Sequence, residues 1–512
     1  MKNEKPLKSN PDLHQMAVKG SYWVLLGRFL SQVLGSVKSI TVAHFLLLND
    51  LGLIAAAVLF MEVLNTFSES GFHNALIQKK GDITTYLDTA WVVSILRGVL
   101  LFTVVFFAAP VVVSLKVPED IFQSGNYIQF ATTVIRVMGL CLLIRSFQNI
   151  GVVNFMKHLN FHKSFLMTIT CTVVDFTVSV SIIMIYRSVW GYIAGRVLSA
   201  CVGLILSYVL SSYRPRFHFS VSKAKELWKF GKWIFGVGPV VYLLNQADDF
   251  FVWFYLGFSP LALYRYAYHF SDMPATQISN VISQITFPAY SKIQDDIPRL
   301  RNAYLKVLQS IAILSVPASF LIYIFGPDLV RLFLPERMLP MILTLQLLSL
   351  KGLLKSLGSP QGPIYRAIGK PQITLHILWV KLVILAVTVY PLTKRWGIAG
   401  TAASTILINL VVDPVSIWIT SRILQCSVFR MLKTILCPLL SACLMAAVII
   451  PLKTYVFSQA SLPVSLGLLI VAGSLYFGFL WFLDTVLKSG IQNIIREQMK
   501  PVRMKLKRGE IE

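Results

Sequence analysis

The chain has 512 residues, of which 55% are apolar and 14% charged, against roughly 25% charged residues in a soluble domain, and this excludes an ordinary soluble enzyme. Lysine plus arginine (47) exceeds aspartate plus glutamate (23) by 24 charges. In so apolar a chain that excess reads as the Lys/Arg bias of cytoplasmic loops rather than as the footprint of a nucleic-acid partner.

Residues 1–19 are polar and basic, and the apolar run that follows is longer than a signal-peptide core, so the first span is expected to be retained. A hydrocarbon layer about 30 Å thick needs about 20 apolar helical residues. That criterion predicts about fourteen transmembrane helices: 20–45, 51–68, 87–114, 128–150, 164–186, 189–211, 231–256, 261–285, 303–325, 339–357, 372–391, 397–420, 432–452 and 462–486. The runs are continuous rather than alternating, which favours helices over a closed barrel. The fold class is therefore an all-α polytopic membrane protein.

With a cytoplasmic N-terminus, the inner segments hold about 29 Lys and Arg, the outer ones about 7 and the spans about 11, which supports that orientation. The richest inner segments are 212–230 (Arg214, Arg216, Lys223, Lys225, Lys229) and the tail 488–512, both expected to meet anionic lipid heads. No loop exceeds about twenty residues, whereas a domain needs about 50, so no extramembrane catalytic domain, catalytic residue or cofactor is expected. The six cysteines lie mostly in apolar runs without CxxC or Cys/His spacing, so no metal site is expected.

Three strings recur in order. Residues 49–65 lie over 259–275, 106–120 over 323–337, keeping Pro110 with Pro327 and Pro118-Glu119 with Pro335-Glu336, and 188–195 over 394–400, pairing Trp190-Gly191 with Trp396-Gly397. Six spans per repeat is an even number, so two parallel six-helix lobes are expected, a plan used by transporters with the site at the repeat interface. The expected organisation is an N-lobe over 20–211, a basic linker over 212–230, a C-lobe over 231–420, two extra helices over 421–487 and a cytoplasmic tail over 488–512.

The strings ALIQKK (75–80), SNVISQITFPAYSKIQDD (279–296) with RLRNAYLK (299–306), and LGSPQGPIYRAIGKP (357–371) closely resemble the O-antigen and exopolysaccharide flippases of the multidrug/oligosaccharidyl-lipid/polysaccharide exporter superfamily. The resemblance runs from about residue 15 to about residue 430. It implies a non-enzymatic carrier in the bacterial cytoplasmic membrane that moves a polyprenyl-pyrophosphate-linked oligosaccharide to the outer leaflet by alternating access. A polysaccharide polymerase and glycosyltransferases are the protein partners it implies. Family members often read LYSRAY where this chain has Leu263-Tyr264-Arg265-Tyr266-Ala267-Tyr268, which turns the arginine about 100° around the helix.

An ionisable side chain at the centre of a membrane helix costs roughly 2.5–3.5 kcal/mol on insertion scales, so each marks a candidate site. Arg28, Ser31, Gln32, Gly35 and Ser39 form one polar stripe, and Arg28 is placed as lining the cavity, with Lys38 near the outer end. Arg265, His269, Asp272, Thr276 and Ser279 form a second stripe, matched in the repeat by Glu62, Thr66 and Glu69. Asp248 and Asp249 align with Lys38 and are expected to meet it at an outer gate. Arg145, Lys351 and Lys355 occupy the inner third as donors for a pyrophosphate head. Arg97, Arg136 and Lys381 are deeper, on unassigned faces, and Asp175, His376 and Asp413 are candidates for an ion relay. Pro239, between Gly236 and Asp248, makes span 7 the preferred bending element. The runner-up function is a cation-coupled multidrug exporter of the same superfamily. A membrane glycan polymerase or glycosyltransferase is disfavoured by the short loops and by the lack of a DxD or Walker-type motif.

Overall fold

Lipid offers no partner to a peptide N–H or C=O, so each crossing closes its own hydrogen bonds as a helix. The computed structural model describes the backbone of residues 11–79, 83–114, 125–157, 160–291, 293–370, 372–456 and 462–487. Within these, the side chains of 11–22, 230–240, 272–285, 287–289 and a few others lie outside the description. Among the described residues the chain is all helix and connecting turn, with no strand.

The chain divides into two compact units, residues 1–262 and 263–512. In the first, α1 (Pro11–Phe45), α2 (Leu48–Ser68) and the short α3 (Phe72–Gln78) are followed by α4 (Thr84–Ser114), α5 (Gly125–Ser146), the short α6 (Val153–Lys157), α7 (Phe161–Tyr186), α8 (Val189–Leu210) and α9 (Val221–Leu256). The main packed pairs are α7 with α8, α4 with α5, α1 with α7, and α5 with α8. α9 packs on α2, α3 and α4, so it groups with the first unit, and the division falls one long helix later than the linker 212–230.

The second unit begins inside α10 (Phe258–Ser291) and continues through α11 (Ile297–Phe333), α12 (Ile342–Gly358), the short α13 (Gln361–Ala367), α14 (Gln372–Ile423), α15 (Val428–Pro451) and α16 (Leu462–Leu487). α11 packs on α12, and α12 on α14. The last two helices seat on α11 through Cys437, Ala442, Met445, Ala472 and Tyr476, whose hydroxyl donates to Ile313 O at 3.0 Å.

Ten helical segments among the described residues are long and apolar enough to cross a membrane. One of them, α14, has 52 residues, about 78 Å at 1.5 Å per residue, and is broken at Trp396 and Gly397, where Gly397 takes φ +57°. Only glycine adopts that conformation without strain, so the break separates the two spans expected at 372–391 and 397–420. The spans expected at 20–45, 231–256 and 261–285 fall in α1, α9 and α10, whose 35, 36 and 34 residues suffice to cross. Close helix approach explains another repeated glycine. A Cβ on Gly195 would lie 2.0 Å from Ser179 Oγ and 2.7 Å from Asp175 O, which lets α7 and α8 pack at short range. The proline Pro239 and its flanking glycines lie outside the described side chains, as do Asp272, Thr276 and Ser279.

Candidate functional site

The first unit brings Lys38, Arg145, Asp175 and Arg196 together between α1, α5, α7 and α8. The face of α1 that packs on α7 carries Ser31, whose hydroxyl meets Thr172 Oγ1 at 3.2 Å, and Lys38, whose Nζ donates to Asp175 Oδ1 at 2.7 Å. Lys38 is only 6% exposed, and its ammonium also lies 4.1 Å from the centroid of the Tyr192 ring. Its salt bridge is thus with Asp175, and not with Asp248 or Asp249, because the stripe of α1 faces α7. Arg28 lies off that seam, is exposed and makes no side-chain hydrogen bond or ion pair among the described residues. Asp248 and Asp249 are both buried on α9, where the Asp249 N–H donates to Asp248 Oδ1 at 3.1 Å.

Arg145, in the last turn of α5, opens onto two cavities. The smaller, about 220 Å³, is shared with Glu62, Asn65 and Arg97. The larger, about 520 Å³, is lined by Ser31, His73, Gln148, Thr168, Asp175 and Arg196, among others. Arg145 has no side-chain partner among the described residues. Arg97 and Arg136, by contrast, are taken. Arg97 donates from Nε to Ser68 Oγ at 2.9 Å and from Nη2 to Asn65 O at 2.8 Å, and Arg136 donates to Phe106 O at 3.0 Å.

In the second unit, Tyr268 draws two of the expected cations together. Lys351 Nζ lies 4.8 Å from its ring centroid, and Lys355 Nζ is 3.5 Å from its hydroxyl. His269 stands edge-on to Phe270 at 5.2 Å, and Arg265, at the start of the same helical stripe, is half-buried. Lys355 also lines a cavity of about 270 Å³ with Gln361, Tyr365, Lys381 and Asp413. There Lys381 donates to Asn409 Oδ1 at 2.8 Å and to Asp413 Oδ1 at 2.9 Å, whereas His376 is exposed. Sequence reasoning passed over Arg196, Tyr192 and the ion pair of Lys453 with Asp328 at 2.7 Å. The signal for Arg196 was an arginine seven residues into the span 189–211.

The basic linker is built onto the α3–α4 end of the first unit. The Tyr213 hydroxyl donates to Asp88, which also accepts the Arg216 N–H at 2.7 Å, and the Ser220 N–H donates to Thr89 Oγ1 at 3.2 Å. Glu226 accepts from Lys79 and, at 2.7 Å, from the Tyr86 hydroxyl. Those two hydrogen bonds hold the Glu226 carboxyl below its ordinary range, and the same carboxylate raises Lys79. Burial, with the bond to Asp88, pushes the Tyr213 phenol up.

The family model described as polysaccharide biosynthesis protein matches residues 41–343, more than half of the chain. The chain belongs to that family. Among curated relatives, the lipopolysaccharide biosynthesis protein WzxC of Escherichia coli (strain K12) is 22% identical over 78% of this chain and 80% of its own length. The teichuronic acid biosynthesis protein TuaB of Bacillus subtilis (strain 168) is 19% identical over 92% of this chain and 96% of its own. Among solved structures, the lipid II flippase MurJ in an inward closed conformation superposes with a TM-score of 0.72 at 13% identity, covering 92% of this chain and 99% of MurJ. An inward-facing multidrug resistance MATE family transporter of the MOP superfamily gives 0.62 at 16% identity, over 77% and 94%. At those identities the superpositions speak for the fold: this family member is a multi-pass membrane protein with the helical architecture of that superfamily.

Proposed function

We propose that this family member moves a polyprenyl-pyrophosphate-linked oligosaccharide from the inner to the outer leaflet of a bacterial cytoplasmic membrane, with both termini on the cytoplasmic side. The observation that carries the reading is chemical. Arg28 and Arg145 offer guanidiniums that no side chain of the described residues engages, within a family of polysaccharide biosynthesis proteins. A forked donor without a carboxylate suits a phosphate oxygen. An organic-cation exporter calls instead for unpaired acids, and Asp175 and Asp413 are already taken by Lys38 and Lys381.

On this reading Arg28 and Arg145 receive the head from one repeat, and Lys351, Lys355, Arg265, His269 and Asp272 line the path in the other. Lys38, Glu62, Asp248 and Asp249 serve the gate. An inside-negative potential favours outward movement of an anionic head by about 2.3 kcal/mol per charge per 100 mV, so ion coupling is not required. The polymerase and glycosyltransferases are proposed as the protein partners, and the two repeats as lobes that alternate access.

A leaflet assay tests this: purified protein in proteoliposomes with a labelled polyprenyl-pyrophosphate oligosaccharide. Protein-dependent appearance of label in the opposite leaflet is expected, and its loss in Arg145→Gln. Absence of movement together with proton-dependent efflux of an organic cation would overturn the reading.

A further inference from the structure

The larger cavity of the first unit contains more positive charge than its own side chains neutralise. Arg196 lies in the second turn of α8. Its Nη2 donates to the Tyr192 hydroxyl at 3.1 Å, and its guanidinium carbon is 5.5 Å from the Tyr192 ring centroid. Its Nε is buried and bonded to nothing, and no carboxylate lies within ion-pair distance of it among the described residues. The carboxylate of this cluster, Asp175, is held by Lys38 at 2.7 Å. Lys38, Arg196 and Asp175 therefore leave one positive charge over, in a place where an uncompensated charge is costly.

Arg145 reaches the same cavity from the other end. The Asn149 N–H bonds Ser207 Oγ at 2.9 Å, which sets the level of α8 against the end of α5. Arg145, four residues before Asn149, is therefore level with Gly203. Arg196 is seven residues from Gly203, about 10 Å along the axis. Two long side chains from levels that far apart line one space. The cavity, about 520 Å³, falls within the roughly 300–1,000 Å³ of small-ligand sites, and its other polar lining consists of Asp175, already held by Lys38, together with hydroxyls, an amide, the Cys171 thiol and His73.

We propose that Arg196, oriented by Tyr192, forms with Arg145 an anion-binding station inside the N-terminal unit, and that its ligand is a phosphate or pyrophosphate head. The station rests on the flippase reading for the source of that head, but its chemistry does not. The bound anion supplies the missing negative charge, accepts from the Arg196 guanidinium where it lines the cavity and takes the open fork of Arg145. Tyr192 acts as a positioning residue, holding the Arg196 guanidinium by its hydroxyl.

The test is equilibrium binding to the purified full chain in detergent, with inorganic pyrophosphate and farnesyl pyrophosphate as probes. Binding of at least one probe is expected, weakened at least tenfold in Arg196→Gln and in Arg145→Gln, with Arg196→Lys between wild type and Arg196→Gln. Tighter binding of farnesyl pyrophosphate assigns the station to a lipid-linked head, and equal binding assigns it to the free anion. Arg145→Gln changes an exposed side chain and keeps the test informative if Arg196→Gln does not fold. Failure of wild type to bind either probe overturns the station. So does wild-type binding by Arg196→Gln with only its thermal stability lowered, the signature of a structural arginine. Binding that depends on Arg196, without leaflet movement by wild type, retains the station and removes the flippase reading. Leaflet movement with unaltered binding in both variants does the reverse.

Discussion

Removing Asp175 is expected to harm the first unit more than removing its partner Lys38. The two side chains are 17% and 7% exposed and 2.7 Å apart, and breaking a buried pair from one side typically costs about 3–5 kcal/mol because the other charge is stranded. The stranding differs between the two ends. Asp175→Asn leaves Lys38 and Arg196, two cations within electrostatic range of each other, with no carboxylate between them. Lys38→Met leaves Asp175 within range of Arg196, so the cluster becomes neutral. The contact of Lys38 with the Tyr192 ring at 4.1 Å is lost as well, but it is worth only about 0.5–2 kcal/mol. Asp175→Asn should therefore cost about 3 kcal/mol or more, and Lys38→Met about 1–2 kcal/mol. Lys38→Met with Asp175→Leu together should recover much of the larger loss. Tryptophan-fluorescence unfolding of detergent-solubilised protein orders the variants. If Lys38→Met unfolds at or below the temperature of Asp175→Asn, the cluster does not carry the surplus positive charge assigned to it.

The linker clasp should respond to pH through two groups of opposite sign. Glu226 is depressed below 4.5, so its contribution is present at neutral pH and fades as pH falls through that lowered value. Lys79 is raised above 10.5, so its share is lost only as pH rises beyond it. Proteolysis of the linker 212–230 should accelerate only at those two extremes, and Glu226→Gln should abolish the acid limb. Gly195→Ala places a Cβ 2.0 Å from Ser179 Oγ, which should cost about 1–3 kcal/mol, whereas Gly358→Ala meets nothing within 4 Å and should leave the melting temperature unchanged. In the leaflet assay Arg145→Gln should abolish transport. Arg136→Gln should not, because Arg136 is already spent on Phe106 O.

Tyr268 illustrates how far the candidate site was legible beforehand. Lys351 and Lys355 are expected together in the inner third of one span, and the structure adds the phenol they share. Arg97, Arg136 and Lys381 were recognised as deep charges without known faces. Their partners are 29, 30 and 32 residues away for Ser68, Phe106 and Asp413, and no short motif encodes such a pairing. Lys38 was paired by repeat alignment with Asp248 or Asp249. The alignment compares equivalent positions, whereas a salt bridge needs two side chains on facing surfaces, and the facing helix of α1 is α7.

Composition and the length of the apolar runs alone determined that this chain crosses the membrane many times as helices, because no other backbone satisfies its own hydrogen bonds in lipid. The gap between the apolar runs 372–391 and 397–420 marks the break within α14, where Gly397 takes a φ that only glycine accommodates without strain. Tertiary structure decided which charges meet, that α9 joins the first unit, and that the Arg196 Nε is buried without a hydrogen-bond partner among the described residues. Each of these depends on how helices far apart in sequence rotate and pack, and packing in lipid is set by small residues and polar seams rather than by the hydrophobicity that makes a span visible.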